Sequence, residues 1–531
     1  MQTTSPDRIR ASLSKSARNQ RASKIALNSA VGVVALLSLI PVGYLLVRAM
    51  EKPFNETVDL LLREKTLEVL GTTSALVACV ALITLFVGVA VACGLHFVRL
   101  PNRSLLIIPA VLPLAIPSYV FTYTWIALIP EFTGFYAAVF ILTLTTLPYV
   151  ILATLSGLRT LDGSQIEVAR SLGLSLPQVF WRVILPQVRG HISAGVLLAS
   201  LYTVSDFGAV SLLNVETLTV AIQNMYRASY DRSAAAVISF VLIAFSTLVV
   251  LADERIKKST DTKIVKTYTT RNSLINRLSL RFSVISSLGV YALVAVAIPF
   301  YVLISRFLSN QVPVDWLDLA RDSLSTILVA AFGALIALVL SAPLGIQLSG
   351  KSTRFAEIIQ QMITVGHGLP GVVVGLALVS IGSKIGAIYQ TIFLLAFAYA
   401  LLFLAKSVTS ISASLSRVPS GVKDVASTLG LSQWMVIKRV VAPIAAPGIG
   451  LGTLLVFLTA MKELPATLML RPTGFETLAT QIWSSASINR FNEAAPYALL
   501  LVLIAALPTF LISRPDKADR TYIQESKRSE K

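Results

Sequence analysis

The sequence predicts an all-α membrane protein of about 12 transmembrane helices arranged as two parallel six-helix repeats. Three observations lead there. Of its 531 residues 55% are hydrophobic and only 14% charged, against roughly 25% charged in soluble chains. Apolar runs recur along the whole length, each about 20 residues or more, which is what a helix needs to cross a bilayer. Finally, the stretch Glu167-Val168-Ala169-Arg170-Ser171-Leu172-Gly173-Leu174-Ser175, which leads to Leu185-Pro186, returns as Asp424-Val425-Ala426-Ser427-Thr428-Leu429-Gly430-Leu431-Ser432, which leads to Ala442-Pro443. The acid, the Ala, the Gly and the Pro all recur at an offset of 257 residues.

Residues 1–27 are polar and basic, with Arg8, Arg10, Lys15, Arg18, Arg21 and Lys24. The apolar run from Ala26 to Met50 is too long for the core of a secretory signal and lacks a convincing cleavage site, so it reads as the first span. An acid-rich segment at 51–68 follows on the outer side. Further spans are expected at roughly 70–97, 104–128, 135–156, 190–213 and 234–252. The second half repeats the pattern at roughly 284–306, 323–348, 356–382, 387–408, 446–470 and 494–513. Residues 99–103, the first repeated loop and the Lys/Arg-rich segment 253–281 then share a face with the N-terminus. Excess basic charge marks that face as cytoplasmic. The resulting division is a cytoplasmic segment 1–27, a first membrane domain 28–252, a linker 253–283, a second domain 284–513 and a cytoplasmic tail 514–531. Six spans per half is an even number, so the halves run parallel.

The net charge of +18 does not indicate a nucleic-acid partner, because the basic residues sit in the short segments between apolar runs. Cys79 and Cys93 share one run, and in a helix they stand roughly 20 Å apart, beyond disulfide reach. The three histidines are scattered and form no metal cluster.

Both repeated stretches read as short helices joined by a hinge at the membrane surface. The acid falls in the first turn, where the helix dipole favours it. Gly173 and Gly430 permit a backbone break. Trp181 and Arg182, or Trp434, Lys438 and Arg439, follow, and a proline is expected to close each unit. The pattern resembles the EAA loop of ABC importer permeases, an acid-x-Ala with Gly four residues past the Ala and Pro thirteen past the Gly. In that family the loop is the coupling helix, seated in a groove of the ATP-hydrolysing subunit. The resemblance therefore implies coupling roles for Glu167, Ala169, Gly173, Pro186, Asp424, Ala426, Gly430 and Pro443. The plainer alternative is a surface amphipathic hairpin. The chain has Glu-Val-Ala and Asp-Val-Ala, keeping the acid and final Ala, and places Ala442 before its second Pro.

Gly345-Ile346-Gln347-Leu348-Ser349-Gly350-Lys351-Ser352 fits the nucleotide-binding pattern G-x-x-x-x-G-K-[ST]. A working loop needs a strand before it and a helix after it. Here it begins inside an apolar run, so Lys351 and Arg354 read as anchors at the inner face. Asp206 and Glu463 interrupt apolar helices at the 257-residue offset. A charge at mid-bilayer costs about 2.5 kcal/mol or more without a cavity or a partner. Two readings follow: acids facing each other across a polar pathway, or structural acids at helix breaks, one of them neutralised by Lys462. The third span carries Pro109, Pro113, Pro117, Tyr119 and Tyr123. It pairs with Gly366-His367-Gly368-Leu369-Pro370-Gly371, with Leu112-Pro113 matched to Leu369-Pro370. Such residues line cavities or kink ordinary packing helices.

The stretches Ser205–Leu213, Lys462–Leu470 and Phe475–Thr480 look like the fused permeases of ferric-iron ABC importers, a resemblance covering residues 28–513. It implies the type I ABC importer permease fold in a bacterial inner membrane with both termini cytoplasmic. It also implies a cytoplasmic ABC ATPase dimer and a periplasmic substrate-binding protein as partners. The chain itself is expected to bind no cofactor, hold no metal of high affinity and perform no catalysis. Asp206, Glu463, Lys462, Tyr119, Tyr123 and His367 are the expected substrate-path residues. Related permeases carrying thiamine or phosphonates are the alternatives, with an ion-gradient-driven secondary transporter as the rival from another class.

Overall fold

The structure, a computed structural model, describes residues 6–101, 103–161, 163–228, 232–258, 277–309, 313–349, 354–356, 358–359, 369–429 and 433–513. Among the described residues, eight helices are long and apolar enough to cross a membrane: Ile25–Ala49, Glu64–Phe97, Phe135–Arg159, Ser233–Ala252, Leu278–Leu308, Trp316–Leu348, Ile392–Ser416 and Ile437–Met461. A ninth candidate, Leu106–Ala115 with Ser118–Leu128, is bent by 95°. Gly371–Ile385 and Phe491–Ala506 are shorter apolar helices. Length and composition alone thus fall short of the expected twelve.

Two expected spans stop early, and the sequence gives the reason. Helix Leu185–Ser205 ends at Asp206, and Ala442–Met461 ends before Glu463. Short helices Gly208–Leu212 and Pro465–Leu470 follow. Each break places a carboxylate where the new helix presents its free N–H groups, so the acid ends one helix and begins another.

The third span breaks because Pro113 and Pro117 supply no N–H. Helix Arg103–Val111 gives way to a 3₁₀ turn at Leu112–Ala115, and a new helix starts at Ser118. In the second half Pro370 caps helix Gly371–Ile385 in the same extended conformation that Pro117 adopts. Pro117 and Pro370 are 253 residues apart, not 257. The same offset relates Thr73 and Thr326, whose hydroxyls accept the backbone N–H of Leu218 and Leu478 at 3.0 and 2.9 Å. Leu112-Pro113 is therefore not the counterpart of Leu369-Pro370. Helix Gly371–Ile385 has 15 residues against 11 in Ser118–Leu128. That extra helical turn restores the 257 offset in Phe135–Arg159 and Ile392–Ser416.

The leading helix of each half packs on the other half. Val31 and Val34 are buried with Leu344, Leu404 and Val408. The Tyr291 hydroxyl donates to the Leu144 carbonyl at 2.9 Å, and Val284 lies against Gly94. Each half thus clasps its neighbour through its leading helix.

Gly345 to Leu348 of the nucleotide-loop match are the last turn of helix Trp316–Leu348, while Gly350 to Ser352 lie outside the described residues. A Cβ on Gly345 would come within 2.5 Å of Ile411 Cγ2, so this glycine serves close helix packing. Lys351→Ala should accordingly leave transport within about twofold of the unsubstituted chain, since the match begins in a helix and lacks the preceding strand that a working nucleotide loop needs. Binding of an ATP analogue by the isolated chain, lost in this variant, would overturn that.

Candidate functional site: two surface loops and two capped helix breaks

The first repeated loop is a pair of short helices, Gly163–Ser171 and Leu176–Val179. The first ends in a Schellman motif: Leu174 N–H donates to the Ala169 carbonyl at 3.2 Å and Gly173 N–H to Arg170 at 3.0 Å. Gly173 has φ +84°, in the left-handed region glycine occupies freely. Ser175 opens the second helix, its N–H donating to Gln178 Oε1 at 2.9 Å. Gln187 then ties the unit together, donating to Gln165 Oε1 at 3.1 Å and to the Val183 carbonyl at 2.9 Å.

The expected stop at Pro186 does not occur. The chain stays helical through a π turn at Phe180–Ile184 into helix Leu185–Ser205. The wider turn accommodates the N–H that proline lacks, so the loop joins the next span rigidly. Ile437–Val441 is a π turn at the matching position before Pro443. In this second loop the helices are Ser420–Thr428 and Gln433–Val436. Gly430 lies outside the described residues, and of Asp424 only the backbone, within the first helix, is described.

Burial separates what holds each loop from what it offers. Ile166, Ala169, Val179 and Ala426 are buried. Val168 and Leu172 are 57% and 77% exposed, and Val425 and Leu429, at the 257 offset, 58% and 76%. The motif's alanine is thus a packing residue, while matched pairs of large apolar side chains project outward beside the acid. Val168, Leu172, Val425 and Leu429 are not among the acid, Ala, Gly and Pro positions expected to couple; their signal is their exact recurrence on the open face.

At the first helix break the Asp206 carboxylate accepts the N–H of Ala209 at 3.0 Å and of Val210 at 3.3 Å, together with the hydroxyl of Ser118. At the second, Glu463 accepts Ala466 N–H at 2.9 Å, Thr467 N–H at 3.0 Å and the Thr467 hydroxyl at 2.7 Å. Tyr399 hydrogen-bonds that same hydroxyl at 2.7 Å. Each acid caps its own helix. Ser118 corresponds to Gly371 at the 253 offset, and the two halves compensate there. The shorter Asp206 is met by a serine hydroxyl, whereas the longer Glu463 has its Oε1 2.5 Å from where a Cβ on Gly371 would stand.

The breaks lie where the halves touch. A Cβ on Gly208 would meet Tyr119 Cβ at 2.8 Å and Leu464 Cδ2 at 3.1 Å. Phe207 faces Trp483 at 5.9 Å between ring centroids, and the Trp483 indole N–H reaches Ser211 Oγ at 3.2 Å. Lys462 donates to the Leu114 carbonyl of the opposite half at 2.8 Å, so its ammonium serves the broken third span rather than either acid. Tyr123 stacks on Phe491 and donates to its carbonyl at 2.7 Å, a contact between halves. Tyr119 is 3% exposed with its hydroxyl unpartnered among the described residues, and His367 lies outside them.

Two fused helical halves, each with a helix–turn–helix loop at one end and a capped break at their contact, make the membrane-spanning subunit of a transporter. The chain belongs to the family of binding-protein-dependent transport system inner membrane components, whose pattern matches residues 84–262 and again 337–514. It is similar to a Fe(3+)-transport system permease protein of Haemophilus influenzae, 30% identical over 491 residues, which are 91% of this chain and 96% of the relative. A chloroplastic sulfate permease of Chlamydomonas reinhardtii is 28% identical over 42% of this chain and 66% of its own. A 2-aminoethylphosphonate transport system permease protein of Salmonella typhimurium is 27% identical over 37% of this chain and 74% of its own. The protein is a multi-pass permease subunit of an ABC importer, and its relatives are permease components rather than enzymes.

Proposed function

We propose that this permease passes ferric iron, delivered by a periplasmic binding protein and driven by a separate ATPase dimer on the cytoplasmic face. The observation carrying the ATPase role is the duplicated loop, with Val168 and Leu172 matched by Val425 and Leu429 as exposed apolar pairs. Such pairs suit insertion into grooves on two copies of one partner. Similarity along 91% of the chain to an iron permease, against partial similarity to sulfate and phosphonate permeases, supports ferric iron as cargo. In this reading the N-terminus and both loops are cytoplasmic, and the chain binds no cofactor of its own. ATP-driven closure of the partner dimer draws the loops together, and each π turn transmits the movement into the span that ends at Asp206 or Glu463. The acid-capped breaks are then the hinges at which the halves part.

The test is reconstitution in liposomes with the cognate ATPase and binding protein. ATP-dependent accumulation of radiolabelled ferric iron is the expected result. Accumulation of thiamine or a phosphonate instead would overturn the cargo, and uptake driven by an ion gradient without the ATPase would overturn the class.

A further inference from the structure

Four short helices alternate between the halves where these touch. Ser118–Leu128 of the first half packs on Leu478–Ser487 of the second, and Gly371–Ile385 of the second packs on Leu218–Ala228 of the first. The two pairs are equivalent. Ser118 corresponds to Gly371 at the 253 offset, and Leu218 corresponds to Leu478 because Glu216-Thr217-Leu218 returns as Glu476-Thr477-Leu478. Each side chain of one pair can therefore be set against its counterpart in the other.

The halves furnish this contact unequally. Tyr119, Thr122 and Gln223, all from the first half, are 3%, 0% and 2% exposed. The two hydroxyls and Gln223 Oε1 have no hydrogen-bond partner among the described residues. The matching places in the second half are held by Val372, Gly375 and Trp483. Valine and glycine bring no polar side-chain atom, and the Trp483 indole N–H is bonded to Ser211. Gly375 has no room for one, since a Cβ there would meet Met469 Sδ at 3.0 Å and Ala466 Cα at 3.2 Å. Tyr119 lies against Gly208 beside Leu464 of the other half, and Thr122 stands three residues on, along the same face of the helix. Thr124 of that helix is equally buried, but its hydroxyl donates to the Phe121 carbonyl at 2.8 Å. Buried polar atoms are nearly always bonded, above all in a membrane where water is scarce. Packing gives no reason for three exceptions in one half, because the other half fills the same places without them.

We propose that Tyr119, Thr122 and Gln223 form a one-sided polar wall of the transport path, which exchanges hydrogen bonds with the water or chelator ligands of the cargo as the halves part. The inference rests on the transporter reading for that parting, and on the ferric reading only for the identity of the cargo. All three groups are neutral, so they hold the ligands around an ion rather than the ion itself. Their grip is weak enough for onward movement. Val372 and the packed backbone at Gly375 make the opposite wall, which offers the cargo nothing to bind.

Two measurements on the chain reconstituted in liposomes with its ATPase and binding protein test the wall. Tyr119→Phe, Thr122→Val and Gln223→Met remove the polar atom and keep the shape. Each should unfold at the same or a higher temperature, because the deleted atom had no partner in the fold. Uptake of the cargo should nevertheless fall at least about fivefold, the loss of one hydrogen bond to it, with the ATPase still co-purifying. Thr124→Val on the same helix should leave uptake unchanged. Normal uptake in all three variants, or a loss that only tracks a lowered unfolding temperature, would overturn the wall. In a Cys79→Ala, Cys93→Ala background, a membrane-impermeant methanethiosulfonate reagent should modify Thr122→Cys and Gln223→Cys during ATP hydrolysis. It should spare Ala138→Cys, buried in helix Phe135–Arg159. Protection of all three positions during hydrolysis would equally overturn the proposal. Labelling reads access of water and needs no cargo, so transport of a phosphonate instead of iron would leave that result intact.

Discussion

Gly173→Val should abolish uptake while leaving the chain in the membrane at its normal level. The position is exposed, and a Cβ there would meet nothing within 4 Å, so the substitution creates no clash. The penalty is in the backbone. At φ +84° an L-residue pays about 1–2 kcal/mol, and a β-branched one is a genuine outlier. The loop escapes that cost by abandoning the Schellman turn, which swings helix Gly163–Ser171 and carries Val168 and Leu172 away from the positions from which we propose they dock. Each 1.4 kcal/mol or so lost at docking is a factor of about ten in ATPase affinity. Asparagine tolerates the left-handed region best among other residues, so Gly173→Asn should retain most activity. Gly173→Asp should fall between, tolerating the bend but adding charge beside Leu172. The measurement is co-purification of the ATPase with each variant alongside uptake. Normal uptake by Gly173→Val would show that the bend does no coupling.

The helical class, the duplication and the two surface loops were legible in the sequence because each depends on local pattern. Apolar length and the Gly of a helix end operate within a few turns of chain, and the duplication is read by comparing two such local patterns 257 residues apart. What was not legible depends on partners distant in sequence. Pro186 looked like a terminator because a π turn leaves no mark in composition. A single offset carried past a one-turn insertion misaligned the third span, although Pro117 followed by Ser118 and Pro370 followed by Gly371 were there to be matched. Lys462 looked like the natural neutraliser of Glu463 beside it, yet its long side chain finds the Leu114 carbonyl that proline leaves open in the other half. The spans at 26–50 and 284–306 were assigned to their own halves by order. Burial of Val31 with Leu344, and the hydrogen bond from half-buried Tyr291 to the Leu144 carbonyl, show each packing on the opposite half.

The single methyl group added by Gly371→Ala should disrupt the second helix break and lower both the unfolding temperature and uptake. Its Cβ would stand 2.5 Å from Glu463 Oε1 and 3.0 Å from Pro465 Cγ, distances that force movement of the capping group itself. Oε1 is the atom that accepts Ala466 N–H, so displacing it uncaps helix Pro465–Leu470. Loss of a cap costs about 1 kcal/mol, and overpacking a close-fitted site adds roughly 1–3 kcal/mol. Glu463 also shares the Thr467 hydroxyl with Tyr399, which loses its ordered partner in the same event. The first half indicates the remedy, since there a serine at the matching place hydrogen-bonds a carboxylate one methylene shorter. The double variant Gly371→Ser with Glu463→Asp should therefore recover most of the unfolding temperature and uptake that Gly371→Ser alone loses. The coupling energy between the two positions is expected at about 1–3 kcal/mol, the range for residues in direct contact. A double variant whose losses simply add would mean that Glu463 is held by something other than the space glycine leaves. Recovery of thermal stability without uptake would instead separate the cap from the hinge, leaving the carboxylate's reach at the contact between the halves as the feature that transport requires.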